Sequence, residues 1–386
     1  MQSHLRARLM LALLLAPFTA LAETLIVGPE PPALSLAEAL SRAQDGDTVA
    51  LVAGEYKGHG GVVTQRQLTI RALSGPVVLR AGQQLPERKA ILVVRGGDVT
   101  VDSLEFRGAR ADDANGAGIR HETGRLVVRN SVFLDNETGI LTGNDEKAEL
   151  VVEDSEFGHA PHIEGGLHHL LYVGRIGRFT LRGSRFYRGF EGHLVKSRAA
   201  ESRILYNLIH DGDEGEASYE IDLPNGGLAW VIGNVIGQGP KSQNPVMVAF
   251  GGEGSRWAKN GLYLSHNSFV GNPWPPSWFV RVFQDRVPAG TEVVAVNNVA
   301  VGLGLFSPLT EGRFEGNRQA LRRRALESVY TLEFMPTEAS GWRGTAQPAG
   351  KAGGESLLPT AQFTLPRGTR PLPAPAAWTP GAFQAP

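Results

Sequence analysis

An internal repeat limits what this chain can fold into more than any other feature of its sequence. A Ser or Asn followed two positions later by Phe, Ile or Ala recurs seven times, each time after a run of apolar residues, beginning at Ser131, Ser155, Ser184, Asn207, Asn234, Asn267 and Asn298. The successive spacings are 24, 29, 23, 27, 33 and 31 residues. A unit of that length buries its apolar face only by stacking on its neighbours, so the repeat predicts a solenoid.

The repeat favours an all-β fold, a right-handed parallel β-helix with about one coil per copy. We interpret the Ser or Asn as a turn residue: Asn tolerates the left-handed backbone of a sharp turn, and stacked Asn side chains form hydrogen-bonded ladders. The Phe and Ile should stack inside. A β-sandwich or propeller is the alternative, but most runs lack an Asn-Gly hairpin signal between them and the spacing is irregular.

The ends of the solenoid differ from its middle. Residues 36–43 are apolar at helical spacing behind Ser35, a candidate N-cap, and predict a short capping helix. We expect one domain over residues 23–306, with coils from about Leu25 to Gly304, and a capping tail rich in Pro, Gly and Ala over 307–386. Within that tail, residues 319–330 predict a short basic helix and residues 380–384 a closing strand.

The first 22 residues predict a signal peptide, because Arg6 and Arg8 precede an apolar run that ends in Ala20-Leu21-Ala22. The mature chain should begin at Glu23 and be periplasmic or secreted, and it contains no cysteine. We expect no membrane span after the signal is removed. The 38 basic and 39 acidic residues form no basic block, so nucleic acid is not an expected partner. A monomer is expected.

The candidate site lies in residues 191–227, where polar members of strand-like runs are unusually rich in ionisable side chains. Counting back from the turn motifs places His169, His193 and either Glu220 or Tyr219 on neighbouring coils about 4.8 Å apart. An error of one residue in this register would exchange inside for outside. The same count brings a further set of polar residues to this face: Tyr172, Lys196, Arg198, Asp222 and Asn225.

Other polar clusters have both structural and functional interpretations. His159, His162, His168 and His169 are near one another in sequence but lack a tight metal-ligand spacing. The acidic loop of Asp211, Asp213, Glu214 and Glu216 is either a solvated turn or a calcium site. Three tryptophans are either packing residues or sugar-binding rings, namely Trp257, Trp274 and Trp278.

Two motifs carry a resemblance to known families. The short helix, the run from Asp45-Gly46-Asp47-Thr48, and Gly54-Glu55-Tyr56 together resemble the opening cap of pectate-lyase-like β-helix proteins. The segment from Glu191 to Lys196-Ser197 is similar to the E-x-x-x-x-K-S strand of the alginate and chondroitin lyase family. The chain resembles still more closely a group of exported proteobacterial β-helix proteins with the patterns H-x-L-Y-V-G, G-H-L-x-K-S-R-A and Y-E-x-x-x-P-N-G-G.

The lyase resemblance implies that Lys196 is a base and that Glu191 is a calcium ligand. The family's Arg on the next coil is missing, since Leu223-Pro224-Asn225-Gly226 occupies its place. Arg198, His193 or Tyr219 would have to substitute for it.

We therefore expect a lyase that cleaves an acidic, uronate-containing polysaccharide by β-elimination. Arg198 or a bound ion would neutralise the uronate, Lys196 or His193 would remove the proton, and Tyr219 or His169 would protonate the leaving oxygen. Tyr172, Glu220, Asp222 and Asn225 would bind substrate. Two alternatives stay open: a glycoside hydrolase that uses Glu220 and Asp222 as its carboxylate pair, and a periplasmic protein that binds or helps export a polysaccharide without cleaving it.

Overall fold

A computed structural model of the chain describes residues 22–163, 165–272, 274–306 and 311–384. The signal peptide predicted for residues 1–22 lies outside these ranges except for its last residue. Within them the chain is a parallel β-helix whose coils each contribute one strand to three long sheets. The predicted fold class is therefore confirmed.

The first sheet has 12 strands and the second has 11. The strands of the first sheet are Thr24–Val27, Thr48–Leu51, Gln67–Ala72, Asp98–Asp102, Arg125–Arg129, Glu149–Glu153, Arg178–Arg182, Glu201–Leu205, Leu228–Ile232, Gly261–Ser265, Glu292–Val296 and Arg313–Glu315. Those of the second sheet are Gly54–Lys57, Val77–Arg80, Glu105–Arg107, Val132–Leu134, Glu156–Gly158, Arg185–Tyr187, Leu208–His210, Val235–Gly237, Ser268–Val270, Val299–Val301 and Arg318–Ala320.

The third sheet has 10 strands and carries the candidate site. Its strands are Gly61–Val63, Ala90–Val94, Ala117–His121, Thr138–Thr142, Leu171–Val173, Val195–Ser197, Ile221–Leu223, Val246–Phe250, Ser277–Val282 and Gly304–Phe306. The helix Leu36–Arg42 precedes the first complete coil, as predicted, and Ser35 and Glu38 form a capping box at its start. No helix in the described ranges is long and apolar enough to cross a membrane.

Stacked side chains inside the coils explain the repeat. Phe106, Phe133, Phe157 and Phe186 form one column, with ring centroids 5.0, 4.7 and 4.6 Å apart. Each buried ring covers the one before it, so the apolar area is buried between coils rather than within one coil. This is why the Phe or Ile recurs once per turn of the solenoid.

A hydrogen-bonded ladder runs beside this column. Asn207 donates its backbone N–H and its side-chain amide to Asn234 Oδ1, both at 2.9 Å, and Asn234 and Asn267 repeat the pattern. The ladder was predicted, but its backbone explanation was wrong. The left-handed residue is the one before each ladder position, as at Tyr206 (φ 56°) and Asn297 (φ 56°). The Asn is selected for its amide, which pairs buried backbone groups of adjacent coils.

The tail differs from its prediction in two places. Residues 319–330 are not a helix, because Asn317 extends the ladder below Asn298 and the chain makes one more partial coil. That segment contains the strand Arg318–Ala320, the 3₁₀ turn Arg323–Ala325 and the strand Leu326–Ser328. Residues 380–384 are not a strand; Gly381 instead donates a single backbone hydrogen bond to Asn297 O.

The remaining short elements of the chain lie near its ends. Two further 3₁₀ turns span Pro86–Arg88 and Glu338–Ser340. Three antiparallel hairpins follow the solenoid, and they pair Leu326–Ser328 with Glu333–Pro336, Lys351–Ala352 with Glu355–Ser356, and Ala361–Phe363 with Thr369–Pro371. The tail is fastened along the coils, for example by Trp230 Nε1, which donates to Ala352 O at 3.2 Å.

Candidate functional site

The candidate site is built on three consecutive strands of the third sheet. Tyr172, Lys196 and Asp222 occupy equivalent positions on adjacent strands and form one row along the outer face. Alternate residues of a strand point to opposite faces, and the flanking Val195 and Ile221 lie in the core. The sheet therefore fixes a phenol, an ammonium and a carboxylate side by side. We call these three residues the outer row.

A second row lies three residues earlier in each coil and consists of His169, His193 and Tyr219. The rings of His169 and His193 are 4.7 Å apart, and those of His193 and Tyr219 are also 4.7 Å apart. We call these residues the ring row. The sequence count left Glu220 and Tyr219 as alternatives for the third position, and the structure places Tyr219 there.

The prediction of Glu220 as a groove residue is wrong because the register differs by one residue. Glu220 is fully buried, at the interior position that Leu194 occupies in the preceding coil. Its Oε2 accepts a 3.4 Å hydrogen bond from Gln238 Nε2. Burial, with a further contribution from Asp211, holds the pKa of Glu220 well above its usual range. Glu220 is a buried carboxyl inside the solenoid, on the opposite side of the strand from Asp222.

Asp222 links the two rows. Its Oδ2 lies 3.1 Å from His193 Nδ1 and 3.3 Å from Lys196 Nζ, and only 6% of its side chain is exposed. The His193 contact is within ion-pair distance, although the ring nitrogen is not aligned for a regular hydrogen bond. Burial would raise the pKa of Asp222, but His193 and Lys196 outweigh it and keep the pKa below its usual range. Asp222 is therefore an ionised carboxylate at neutral pH.

Arg198 forms the other side of the site. Its Nε donates to the Tyr172 hydroxyl at 3.0 Å, and its Nη1 donates to Asn225 Oδ1 at 2.6 Å. The guanidinium also makes a two-pronged ion pair with Glu253, at 2.6 and 2.9 Å. Glu253 Oε1 lies 3.7 Å from Lys196 Nζ as well. We call the surface formed by the two rows with Arg198, Asn225 and Glu253 the groove.

Glu253 is the groove residue that sequence reasoning missed. It lies in the loop that follows the strand Val246–Phe250, one coil beyond Asn225, and its side chain is 49% exposed. Hydrogen bonding to Arg198 lowers its pKa. The sequence did contain a signal for Glu253. Asp222 aligns with Ala249 on the next coil, and the same offset applied to Asn225 leads to Gly252, next to Glu253.

His169 supports the ring row from below. Its Nδ1 accepts a 2.9 Å hydrogen bond from the backbone N–H of His193, which leaves the ring proton on Nε2. Burial first, and then the charges of His193, Lys196 and Arg198, hold the pKa of His169 well below its usual range. The ring is thus neutral and almost entirely buried, a position suited to orienting His193 rather than to donating a proton.

The described residues contain no group of three or more His, Asp or Glu side chains arranged to hold a metal ion. The histidines of residues 159–169 contact different rings and do not converge on one point: His159 packs on Tyr187, and His162 packs on Phe190. In the acidic loop, Asp211 instead accepts backbone hydrogen bonds from Gly189 and Ala217.

The calcium prediction finds no ligand set around Glu191 either. Glu191 lies at a turn with φ 52°, where its backbone N–H donates to Glu216 O, and the groove carboxylates of Asp222 and Glu253 are paired with cations. These residues do not fit a calcium site, so no step of the chemistry below is assigned to calcium.

The face continues beyond the groove as an open surface. Asp222 aligns with Ala249 and then with Arg281, which lies over the ring of Phe283 at 4.5 Å and near Trp278 at 5.7 Å. Trp257 donates from Nε1 to Arg198 O at 3.0 Å, and Trp274 is 75% exposed. Two cavities that share Arg188 and Glu214 in their walls lie on a different sheet. An open groove is the better candidate for a polymer, because a polymer must enter and leave at both ends.

Comparison with known proteins supports the fold. No protein-family model and no curated protein sequence matches the chain. Among solved structures it is similar to pectate lyase Pel9A, with a TM-score of 0.60 and 13% identity over 95% of this chain and 97% of that one. It is also similar to the PL6 family alginate lyase AlyGC, with a TM-score of 0.42 and 17% identity, over 78% of this chain and 40% of that one. At such identities the likeness concerns the fold.

Proposed function

We propose that the groove binds an acidic polysaccharide and cleaves it by β-elimination. One observation carries the proposal: Lys196 and Arg198 lie beside His193 in the groove, paired with Asp222 and Glu253. Two cations beside a carboxylate-backed imidazole are what the reaction requires. The two cations bind the uronate carboxylate, and the imidazole removes the proton from the neighbouring carbon.

The contacts favour a specific division of labour between the two basic groups. The Lys196 ammonium faces both Asp222 and Glu253, so it suits charge neutralisation better than proton removal. His193 has the Asp222 carboxylate 3.1 Å from Nδ1, and this negative charge stabilises the imidazolium formed when the other nitrogen takes a proton. His193 is therefore the proposed base, and Lys196 with Arg198 the proposed carboxylate clamp.

The reaction balances with these groups. His193 takes the proton from the carbon next to the uronate carboxylate, and that electron pair forms the new carbon–carbon double bond. The bond from the neighbouring carbon to the glycosidic oxygen breaks, and the leaving oxygen receives a proton from the Tyr219 hydroxyl. Tyr219 is favoured for this step over His169, because His169 is buried and its pKa is held low whereas Tyr219 is half-buried.

The hydrolase alternative is less well supported by the carboxylates. A glycosidase needs a carboxyl with a raised pKa at the substrate, together with an ionised partner. Glu220 has the raised pKa but lies inside the solenoid. Asp222 and Glu253 face the groove, but the pKa of each is lowered.

The test is to incubate the purified protein with alginate, pectate, glucuronan and glycosaminoglycans and to follow the ultraviolet absorbance of an unsaturated uronate. Wild type should produce this absorbance with at least one polymer, and His193→Ala should abolish most of it. His159→Ala, on another face, is the matched control. If a polymer binds but no ultraviolet absorbance appears, the alternative of a protein that binds a polysaccharide without cleaving it would be supported instead. If the protein neither binds nor cleaves any of these acidic polymers, the proposal is overturned.

A further inference from the structure

A trough crosses the outer face of the second sheet, away from the groove. It consists of two adjoining cavities of about 370 and 510 Å³. Arg188 and Glu214 line both cavities and form an ion pair with each other. The smaller cavity lies between the strands Arg185–Tyr187 and Leu208–His210 and the tail segment 323–332. A cavity of this volume can hold a ligand of one or two sugar units. We call it the tail cavity.

Two arginines of the tail cavity form no ion pair in the part of the chain that the structure describes. Among the described residues, Arg185 forms no ion pair; its guanidinium lies over the Tyr187 ring at 4.8 Å. The carboxylate in register with it, Glu156, is occupied by the Tyr187 hydroxyl at 2.6 Å and by Arg367 at 3.1 Å. Arg323 likewise has only neutral partners in the described ranges, Gly271 O and Asn272 Oδ1.

Some other arginines on the coils pair with a carboxylate one coil away, as in Arg125 with Asp98 and Arg129 with Asp102. The tail cavity is also lined by Asp211, Asp213 and Glu214, so its wall carries no excess of positive charge. Among the described residues Arg185 and Arg323 nevertheless form no ion pair with these carboxylates, and their guanidinium donors stay available to a ligand carboxylate.

The rest of the wall has the composition of a sugar site. Leu208, Val329 and Leu332 supply apolar surface, and Tyr330 presents a ring that is 79% exposed at the rim. Burial, reinforced by Arg323, lowers the pKa of His210 to about 4, so His210 is neutral at physiological pH. Its Nδ1 accepts from the Gly212 N–H at 3.1 Å. Exposed aromatic rings beside polar groups suit the mixed faces of a sugar ring.

We propose that the tail cavity is a second binding site, for a carboxylate-bearing sugar, with Arg185 and Arg323 as the partners of the carboxylate and Tyr330 against the ring. A guanidinium and a carboxylate form two parallel hydrogen bonds, which gives this pairing both strength and orientation. The site is independent of the groove, because it lies on another sheet and shares no residue with it.

The test measures binding of digalacturonate by calorimetry to the full-length His193→Ala, Arg198→Ala double variant, in which the groove is disabled. This variant should bind digalacturonate, and adding Arg185→Gln should weaken binding about tenfold or more. The matched control is Arg178→Gln, which removes an arginine of the same coil that pairs with Glu201 on the first sheet. It should leave the affinity unchanged.

Three results would overturn the site: no binding of digalacturonate to the double variant, equal affinities in the Arg185→Gln and Arg178→Gln variants, or inorganic phosphate binding as tightly as digalacturonate. Arg185→Lys tests the geometry, because it keeps the charge but removes the planar fork. It should recover only part of the affinity. Melting temperatures of all variants check that the coils stay folded. The outcome is separable from the proposed lyase activity because the groove is disabled throughout.

Discussion

Glu253→Gln is expected to strengthen the binding of acidic polysaccharide. Glu253 occupies the two cations, Arg198 and Lys196, that a uronate carboxylate would need. A substrate carboxylate must therefore displace Glu253 before it can pair with Arg198. Glutamine has the same shape but no charge, so the variant weakens the competitor while keeping a hydrogen-bonding side chain in place.

The magnitude follows from the exposure of the pair. Hydrogen bonds to charged groups contribute about 1.5–3 kcal/mol when well buried, whereas exposed ion pairs contribute about 0.2–1 kcal/mol. Arg198 is 17% exposed and Glu253 is 49% exposed, so the pair falls between these cases. We expect a gain of about 1.4 kcal/mol in substrate binding, which corresponds to a dissociation constant about tenfold lower.

The assay is calorimetric or fluorescence titration with the acidic oligosaccharide that the wild type binds best. Asp285→Asn is the matched control, because Asp285 is an exposed carboxylate on the next coil whose ion-pair partner is Arg286. In an Arg198→Ala background, Glu253→Gln should have a smaller effect, since only the 3.7 Å contact of Glu253 with Lys196 then remains to be displaced. Weaker binding by Glu253→Gln in the wild-type background would refute the reasoning and show that Glu253 holds Arg198 in place for the substrate.

Three further predictions concern the groove and the coils. His193→Ala and Lys196→Ala should each lower turnover about 10²- to 10⁴-fold without unfolding the chain, whereas Lys241→Ala should not; steady-state rates and circular dichroism check this. The buried Glu220 should make the fold less stable as pH rises, because its pKa is higher in the folded chain than in the unfolded one. Its contribution to the free energy of unfolding is fully present below the ordinary pKa of 4.5 and is lost as pH rises through the raised pKa of the folded chain. Glu220→Gln should therefore raise the melting temperature at pH 8 by about 2 °C or more but not near pH 4, and equal shifts at both would contradict this. Asn234→Ala should cost about 3 kcal/mol in urea unfolding, since it leaves buried backbone groups of two coils unpaired, and a cost below about 1 kcal/mol would show the ladder to be unimportant.

The architecture could be predicted from the sequence because each coil repeats the same two demands. One is an inward aromatic or aliphatic side chain at the position of Phe186, and the other is a ladder amide or hydroxyl at the position of Ser184. Both depend only on adjacent coils, so their spacing survives in the sequence. The tail lacks such a repeat, and its arginines at 322–324 suggested a helix although Asn317 prolongs the ladder.

The site was harder to predict, for reasons of register and distance. The ring row and the outer row followed from counting, but the chain turns just before the strand Ile221–Leu223, and this turn directs Glu220 inward and Tyr219 outward. Counting cannot detect such a turn. Glu253 was missed because it is 55 residues from Arg198 and joins the groove from a loop, where side-chain positions do not follow strand alternation.

Mass spectrometry of the oligosaccharides released from an acidic polysaccharide tests the central claim most directly. β-Elimination should give products whose new non-reducing ends are unsaturated uronates, each lighter by one water than the product of hydrolysis. The wild type should form them and His193→Ala should not. Saturated ends would contradict the proposed chemistry, and unsaturated ends formed equally well by His193→Ala would contradict the proposed site.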